Sequence, residues 1–410
     1  MSRLQLDTLL TIEMITLESL RVLTNMLTFT ILVNRQYDSM FGKSGAKVGD
    51  TIYARKPPRY IVRKGAGIQP QATTETRVPV KLDSLVGIDL PFSSVERTLS
   101  LDNYSERVLR PALSAIGNQI DYDGLQLYKE VYQAVGTLGT VPATTYANGY
   151  YLGAGVKLDD AAAPQDDQRY LVVTPNMQAS AVAANFSIFN PQQVISEGFR
   201  RGRFGKGVLG FDWYMDQNVG THTYGVRNAE GTVSGTQDNT SSLVVTGITG
   251  DAHKGDIFTI GNSGSTNVCS VNPQSRQSTG ALQQFVVTAD KVLGGSAETL
   301  QISPAITSSG QFQTVSQSAV SGSVLTWGAA TTVSGRSALA FHKEAFTLVT
   351  APLELPRGVH EAHYAGDDQT GIGVRIVTAY DIRTNEMITR FDVLYGWACL
   401  RPELAVRIEG

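Results

Sequence analysis

The chain has 410 residues, with 34 basic against 37 acidic side chains, a net charge of −3, and 42% hydrophobic but only 17% charged residues. A chain of that length buries a sizeable core and is expected to divide into two or three domains. The near-even charge excludes a dedicated nucleic-acid binder, whose affinity rests on surplus Lys and Arg neutralising phosphate.

The 40 glycines, with many Ser and Thr, predict numerous turns and a β-rich chain. Only two cysteines occur, Cys269 and Cys399, too few for a disulfide framework or a Cys-based zinc site, which fits folding in a reducing cytoplasm. Met1 to Leu32 is rich in apolar residues, but Asp7, Glu13, Glu18, Arg21 and Asn25 interrupt them. The expectation is therefore neither a signal peptide nor a membrane span.

Leu6, Leu9, Leu10, Met14, Leu17 and Leu20 recur near helical spacing, predicting an amphipathic helix from Gln5 to about Met26 whose apolar face needs a partner. Tyr37 to Val80 reads as a long β-hairpin arm. Thr51–Arg55 and Arg59–Arg63 look like short strands separated by Pro57-Pro58, with Val78–Leu82 returning as a third. This arm has too little apolar content for a core of its own, so it should lie against something else.

The longest helical pattern opens with Asp102 as N-cap and carries Ala112, Ile116, Ile120, Leu125 and Val131 on one face to about Val135, with Pro111 near its first turns. Gly136 to Gly155 reads as a loop. Arg169–Thr174 is a buried strand ending at Pro175, after which Asn176 is expected to cap a short helix through Ala184. From Tyr224 to Arg336 charge thins out, and Leu243–Thr246, Asp256–Ile260, Gln284–Thr288 and Leu300–Ile302 read as strands between turn clusters. A small all-β module flanked by mixed α/β sequence suggests an insertion. Gly373–Asp381, Ile388–Cys399 and Ala405–Ile408 complete the chain as strands.

Motifs that would carry catalysis or ligand binding are weak. Gly205-Lys206-Gly207 lacks the GxxxxGK[ST] spacing and no helix follows, so the turn into Phe211, Trp213 and Tyr214 reads as a structural corner. Arg200, Arg201, Arg203 and Lys206 beside it are expected to meet carboxylates of a neighbouring copy. His360 and His363, near Asp367 and Asp368, sit in loop-like sequence and lack the HExxH frame of a zinc site. Asp159-Asp160 and Asp166-Asp167 read as solvated charge in a Pro- and Ala-rich connection. No GxSxG elbow occurs. The expectation is no catalytic, cofactor-binding or metal residue, and no enzyme.

Taken together, the order of elements resembles the tailed-phage major capsid (coat) protein of the HK97 fold, and within it the P22-coat-like family with an inserted β domain. The residues carrying the likeness are Arg107 to Tyr128 for the spine helix, Gly205 to Val219 for the turn and strand, Ala338 to Pro356 for the return from the insertion, and Leu394 to Gly410, with Arg401-Pro402-Glu403, for the closing strands. The resemblance implies an α+β fold in fixed parts. These are an N-terminal arm helix (1–36), an extended E-loop (37–80), a peripheral domain with the spine helix (81–150 and 336–355), an axial domain (151–223 and 356–410) and an inserted barrel-like β domain (224–335).

It further implies a non-catalytic subunit that self-assembles, as pentamers and hexamers, into an icosahedral shell around double-stranded DNA. Scaffolding and portal proteins are the implied partners, and the resemblance leaves room for a decoration protein. The location is the virion, with assembly in the host cytoplasm. An E-loop reaching over the next subunit's spine would set Arg55, Lys56, Arg59, Arg63 and Lys64 against acidic surface such as Glu106, Asp121, Asp123 or Glu130. The Lys–Asn crosslinking of some relatives has no matching residues here. The competing readings are a tail or fibre component, which should show internal repeats that this chain lacks, and a β-rich hydrolase.

Overall fold

The computed structural model describes residues 12–35, 51–63, 65–68, 70–92, 109–142, 147–185, 206–261, 267–329, 332–366, 372–381 and 386–410. The chain forms a mixed α+β structure that separates into two compact units. The first holds residues up to Ala54, Pro79–Gly124 and Thr347–Ala398, and the second holds Arg55–Val78, Leu125–Phe346 and Cys399–Gly410.

In the first unit, helix α1 (Ile12–Met26) and helix α2 (Arg110–Leu125) pack together. Leu20, Leu23 and the following Leu27 are buried, and Gly117 of α2 lies where a Cβ would already touch Leu23 at 3.4 Å. The buried part of the α1 face, at Leu20 and Leu23, is covered by α2 and by the strands Glu361–Gly366 and Gly373–Asp381, whereas Leu17, expected on the same face, is 59% exposed. The described helix begins at Ile12; the expected Gln5–Thr11 portion lies outside the described residues.

The sheet of this unit is organised by one long strand, Glu386–Cys399. It pairs antiparallel with Gly373–Asp381 on one side and with Ser84–Phe92 on the other, and Phe346–Thr350 also lies beside it. Two directly opposed cross-strand pairs are ionic: Arg390 grips Asp89 at 2.7 and 3.1 Å, and Arg375 meets Asp392 at 2.5 Å. Glu386–Cys399 pairs with Ser84–Phe92, and the strands to Ala398 belong to the same compact unit as most of α2. His363 lies within a ladder, Glu361–Gly366, where a loop was expected; Asp367 and Asp368 lie outside the described residues.

The second unit contains a mixed sheet in the order Ala134–Gly136, Ala405–Glu409, Ser334–His342, Arg169–Val173, Asp212–Met215, with Thr221–Thr223 also pairing Ser334–His342. Leu171, Val172 and Val173 are fully buried, as a continuous apolar run predicts for a strand covered on both faces. Helix α3 (Ala147–Asp160) covers this sheet and packs on helix α4 (Pro175–Asn185).

Three expectations are corrected here. The spine helix ends at Leu125 and continues only as a tighter 3₁₀ stretch, Gln126–Glu130, before the chain turns into strand Ala134–Gly136. The Gly-rich segment read as a loop supplies most of α3, because Tyr151, Ala154 and Leu158 fall on one face and are fully buried. Asp159 lies in the last turn of this helix, where it is solvent-exposed as expected and pairs with Arg169 at 2.7 Å. Finally, α4 is capped by Thr174, whose hydroxyl accepts from the Met177 amide at 3.2 Å, with Pro175 in the first helical position.

The turn before Asp212 is a two-residue hairpin. Leu209 and Gly210 both adopt positive φ, 56° and 81°, between the bridged pair Val208 and Phe211. That is the geometry of a type I′ turn, which normally favours Asn-Gly. The Trp213 indole donates to Val208 O at 2.8 Å and its ring lies 4.8 Å from Tyr151, so this stretch is a packed corner of the sheet.

Between Tyr224 and Gly328 lies the β module. Its six-stranded sheet runs Leu325–Trp327, Ile257–Ile260, Gln284–Val287, Glu298–Ile306, Thr240–Thr246, Thr232–Val233. The two ends meet through Val233 N to Ser323 O at 2.9 Å and Leu325 N to Gly231 O at 3.1 Å, so the sheet nearly closes into a barrel. Leu243, Val245, Phe258, Ile260, Phe285, Val287 and Leu300 alternate inward to fill it. Phe258 sits opposite both Phe285 and Trp327, with centroids 5.7 and 4.9 Å away. Each fully buried side chain of this size stabilises by about 1.5–3 kcal/mol.

A buried ionic cluster joins the ends of the module. Asp256, fully buried, accepts from Arg227 at 2.6 Å, from His222 at 2.9 Å, and from the amides of His253 and Gly225 at 3.1 and 3.2 Å. Burial pulls its carboxyl upward, but the His222 bond, the Arg227 charge and the His253 amide outweigh that and hold it below the ordinary carboxylate value. Arg227 also stacks over Trp327 at 4.0 Å. Close by in the same unit, Arg407 is fully buried and donates to Val131 O and Gly255 O, each at 2.9 Å.

Candidate subunit-contact surface

The strands Thr51–Arg55 and Arg77–Lys81 form a two-stranded ladder, from which residues 56–76 extend as a ribbon. Beyond Arg55 the ladder gives way to isolated rungs. Lys56 N donates to Thr76 O at 2.8 Å, the Tyr60 and Thr73 hydroxyls meet at 3.2 Å, and Ile61 N donates to the Gln71 side-chain oxygen at 2.8 Å. Gln71 also returns a bond from its amide nitrogen to Ile61 O. A side-chain amide therefore replaces one backbone pairing. Pro57 and Pro58 remove two donors from this leg, which explains why the expected strand Arg59–Arg63 does not form.

The base of the ribbon is seated within the second unit. Arg59 pairs with Glu403 at 3.3 Å, and Glu403 also takes Arg401 at 3.4 Å, which in turn holds Glu344 at 2.8 Å. From the β module, Arg276 donates to Tyr60 O at 3.3 Å, while Gln311 donates to Arg59 O and, at 3.4 Å, to Ala72 O. Beneath the seat lies a cavity of about 720 Å³ lined by Lys56, Pro58, Tyr132, Gln283, Phe312 and Glu403 among others. Burial, then the Glu403 charge, pushes the Tyr132 phenol well above its usual range. The tip is different: Val62 and Ile68 are 87% and 89% exposed.

The basic residues expected on this arm are therefore divided. Arg55 is exposed and paired with Glu75 at 3.2 Å, Arg59 is engaged by Glu403, Lys56 lines the cavity, and Arg63 is exposed and donates to Gly65 O. Lys64 lies outside the described residues, as do Glu106, Arg200, Arg201 and Arg203.

Of the acidic residues, Asp121 is 2% exposed. It accepts from Thr28 N at 2.7 Å, Thr30 N at 3.0 Å and the Thr30 hydroxyl at 2.6 Å, so its charge is committed inside the subunit rather than displayed on the spine. Asp123 is half-buried and accepts from Tyr395 at 2.5 Å and Gln119 at 2.7 Å. The Tyr395 phenol is correspondingly raised, first by burial and then by Asp123. Glu130 is half-buried and pairs with Lys254 at 3.2 Å. Glu403, Arg276 and Gln311 were missed by sequence reasoning. Only Glu403 carried a signal, as part of the Arg401-Pro402-Glu403 motif.

Residues 102–410 match the family described as P22 coat protein, gene protein 5. The chain belongs to the P22 coat protein family. It is thus a major capsid protein, a structural component of the virion that assembles into multi-subunit shells and not an enzyme. No curated protein matches the chain. Among solved structures, one from Mycobacterium phage Che8 is similar at 14% identity and a TM-score of 0.48, covering 93% of this chain and 90% of that one. The capsid of the cyanophage P-SCSP1u is similar at 11% identity and 0.45, covering 88% and 84%. A virus-like particle from Pyrococcus furiosus is similar at 9% and 0.38, covering 97% and 98%. At these values the likenesses decide nothing further, and the coat-family assignment rests on the match over residues 102–410.

Proposed function

We propose that this coat protein builds an HK97-type icosahedral shell around double-stranded DNA by laying the tip of the ribbon at residues 61–68 on a neighbouring copy. In this reading the ribbon is the E-loop, α2 the spine, the sheet with α3 and α4 the axial part, and the β barrel an inserted module. The observation that carries it is the contrast along one ribbon: a base tied down at Arg59 and Tyr60, and a tip whose Val62 and Ile68 face solvent almost entirely. Exposed apolar side chains on a projecting ribbon have no role in the isolated subunit and acquire one when a second copy covers them.

Contacts between such copies are heterologous, and the rotation between them decides whether the assembly closes. Each contact can be weak, because a subunit held by several neighbours gains effective concentration for the next. The charge balance of −3 suits a container that must pack and release DNA without gripping it. Scaffolding and portal proteins are the proposed partners in the host cytoplasm. Val62→Asp with Ile68→Asp tests this reading. The variant subunit should unfold like wild type, since both positions are exposed, yet form no shells by negative-stain electron microscopy. Normal shells from the variant would contradict it.

A further inference from the structure

We infer that the β module is a brace for the ribbon: its Arg276 and Gln311 side chains hold the ribbon's backbone so that the tip is presented to a second copy of this chain. The inference deepens the proposed function and rests on the ribbon being the inter-subunit contact.

The grip has a particular chemistry. Arg276 and Gln311 both donate to main-chain carbonyls, those of Arg59, Tyr60 and Ala72, and so span both legs of the ribbon. A backbone grip fixes the path of an extended segment without depending on its side chains. The gripping residues are themselves anchored, since Arg276 also donates to Gly310 O and, at 3.1 Å, to Gln311 O, which locks its turn to the loop that carries Gln311. Asn272 reinforces the turn by accepting from the amides of Gln274 and Ser275 at 2.9 and 3.0 Å. Arg59–Glu403 at 3.3 Å adds a third hold from the closing segment of the chain.

A seat of this kind could equally park the ribbon and keep it from neighbours. The exposure pattern favours the brace. A parked ribbon would hide its adhesive side chains, whereas here Val62 and Ile68 remain 87% and 89% exposed while only the legs are held. The brace also gives the module a function inside the subunit, which its own closed core does not require.

The test uses the full-length protein with Arg276→Ala and Gln311→Ala combined, and separately with Glu403→Gln. Hydrogen exchange is read on the ribbon peptide 55–78 of soluble subunits, and shell formation is followed by light scattering and electron microscopy. Loss of two hydrogen-bonded grips should speed ribbon exchange about five- to thirtyfold with an unchanged melting temperature. Shells should then form more slowly, need more subunit, or be irregular. Glu403→Gln should shift both readouts the same way by less. Unchanged exchange would show that there is no grip. Faster exchange with unaltered assembly would overturn the brace, and faster exchange with assembly at lower subunit concentration would show a parked ribbon instead. If wild-type subunits formed no shells at all, the proposed function would fail, while the exchange arm would still read the grip.

Discussion

Asp256→Asn removes one charge and almost no volume from a fully buried site. Its consequence follows from the partners it abandons. Arg227, with its side chain 1% exposed, loses its only carboxylate at ion-pair distance among the described residues, and the new amide NH₂ turns a donor toward donors that previously found an acceptor. Breaking a buried pair from one side costs about 3–5 kcal/mol, because the remaining charge stays buried without compensation. With a urea dependence of about 3 kcal/mol per molar or somewhat more for a chain of this size, the unfolding midpoint should fall by roughly 1 M. The assay is urea unfolding at pH 7 followed by circular dichroism. Replacing both partners, Asp256→Asn with Arg227→Met, should recover a substantial part of the loss, since no charge is then stranded.

The pH dependence has a fixed sign. The Asp256 carboxyl is held below its ordinary value in the folded state, so the unfolded chain takes up its proton first as pH falls. Its stabilisation is fully present above the unfolded pKa of about 3.9 and drains away below it as the folded pKa is crossed. Wild type should therefore lose stability below about pH 4 more steeply than Asp256→Asn. A midpoint unchanged by the single substitution, or equal acid sensitivity in both proteins, would refute the reasoning.

Two further substitutions probe local geometry. A Cβ at Gly124 would come within 2.5 Å of the Trp397 indole, so Gly124→Ala should lower the melting temperature despite alanine's helix preference, with an overpacking cost of about 1–3 kcal/mol; a rise in calorimetry would contradict this. Leu209 holds φ of 56° in the hairpin turn, so Leu209→Asn should stabilise by roughly 0.5–1 kcal/mol in the same measurement, and a loss would show that the leucine's packing outweighs its strain.

How much of this was legible in the sequence depended on whether a residue's role is local. The barrel strands announced themselves through alternation, because Leu243, Val245, Phe258 and Phe285 each face one core. Helix α3 was hidden by Gly149, Gly153 and Gly155, although Tyr151, Ala154 and Leu158 already stood at helical spacing. Asp121 reads as surface charge by its type alone, yet it lies four residues after Gly117 and eight after the fully buried Leu113, on the face that packs inward. That spacing was the available signal. The ribbon misled in the opposite direction. Residues 59–63 have strand-like composition, but the preceding prolines and a Gln71 side-chain rung displace the ladder. Its seat was not legible at all, since Arg59 and Glu403 are 344 residues apart and Arg276 and Gln311 recognise backbone.

The most direct measurement is a near-atomic electron cryo-microscopy map of particles assembled from the purified chain. The expected result is a closed shell in which residues 61–68 of each ribbon rest on an adjacent subunit while Arg59 stays paired with Glu403 of its own. Dispersed subunits, or a shell whose ribbon tips touch no neighbour, would contradict the account.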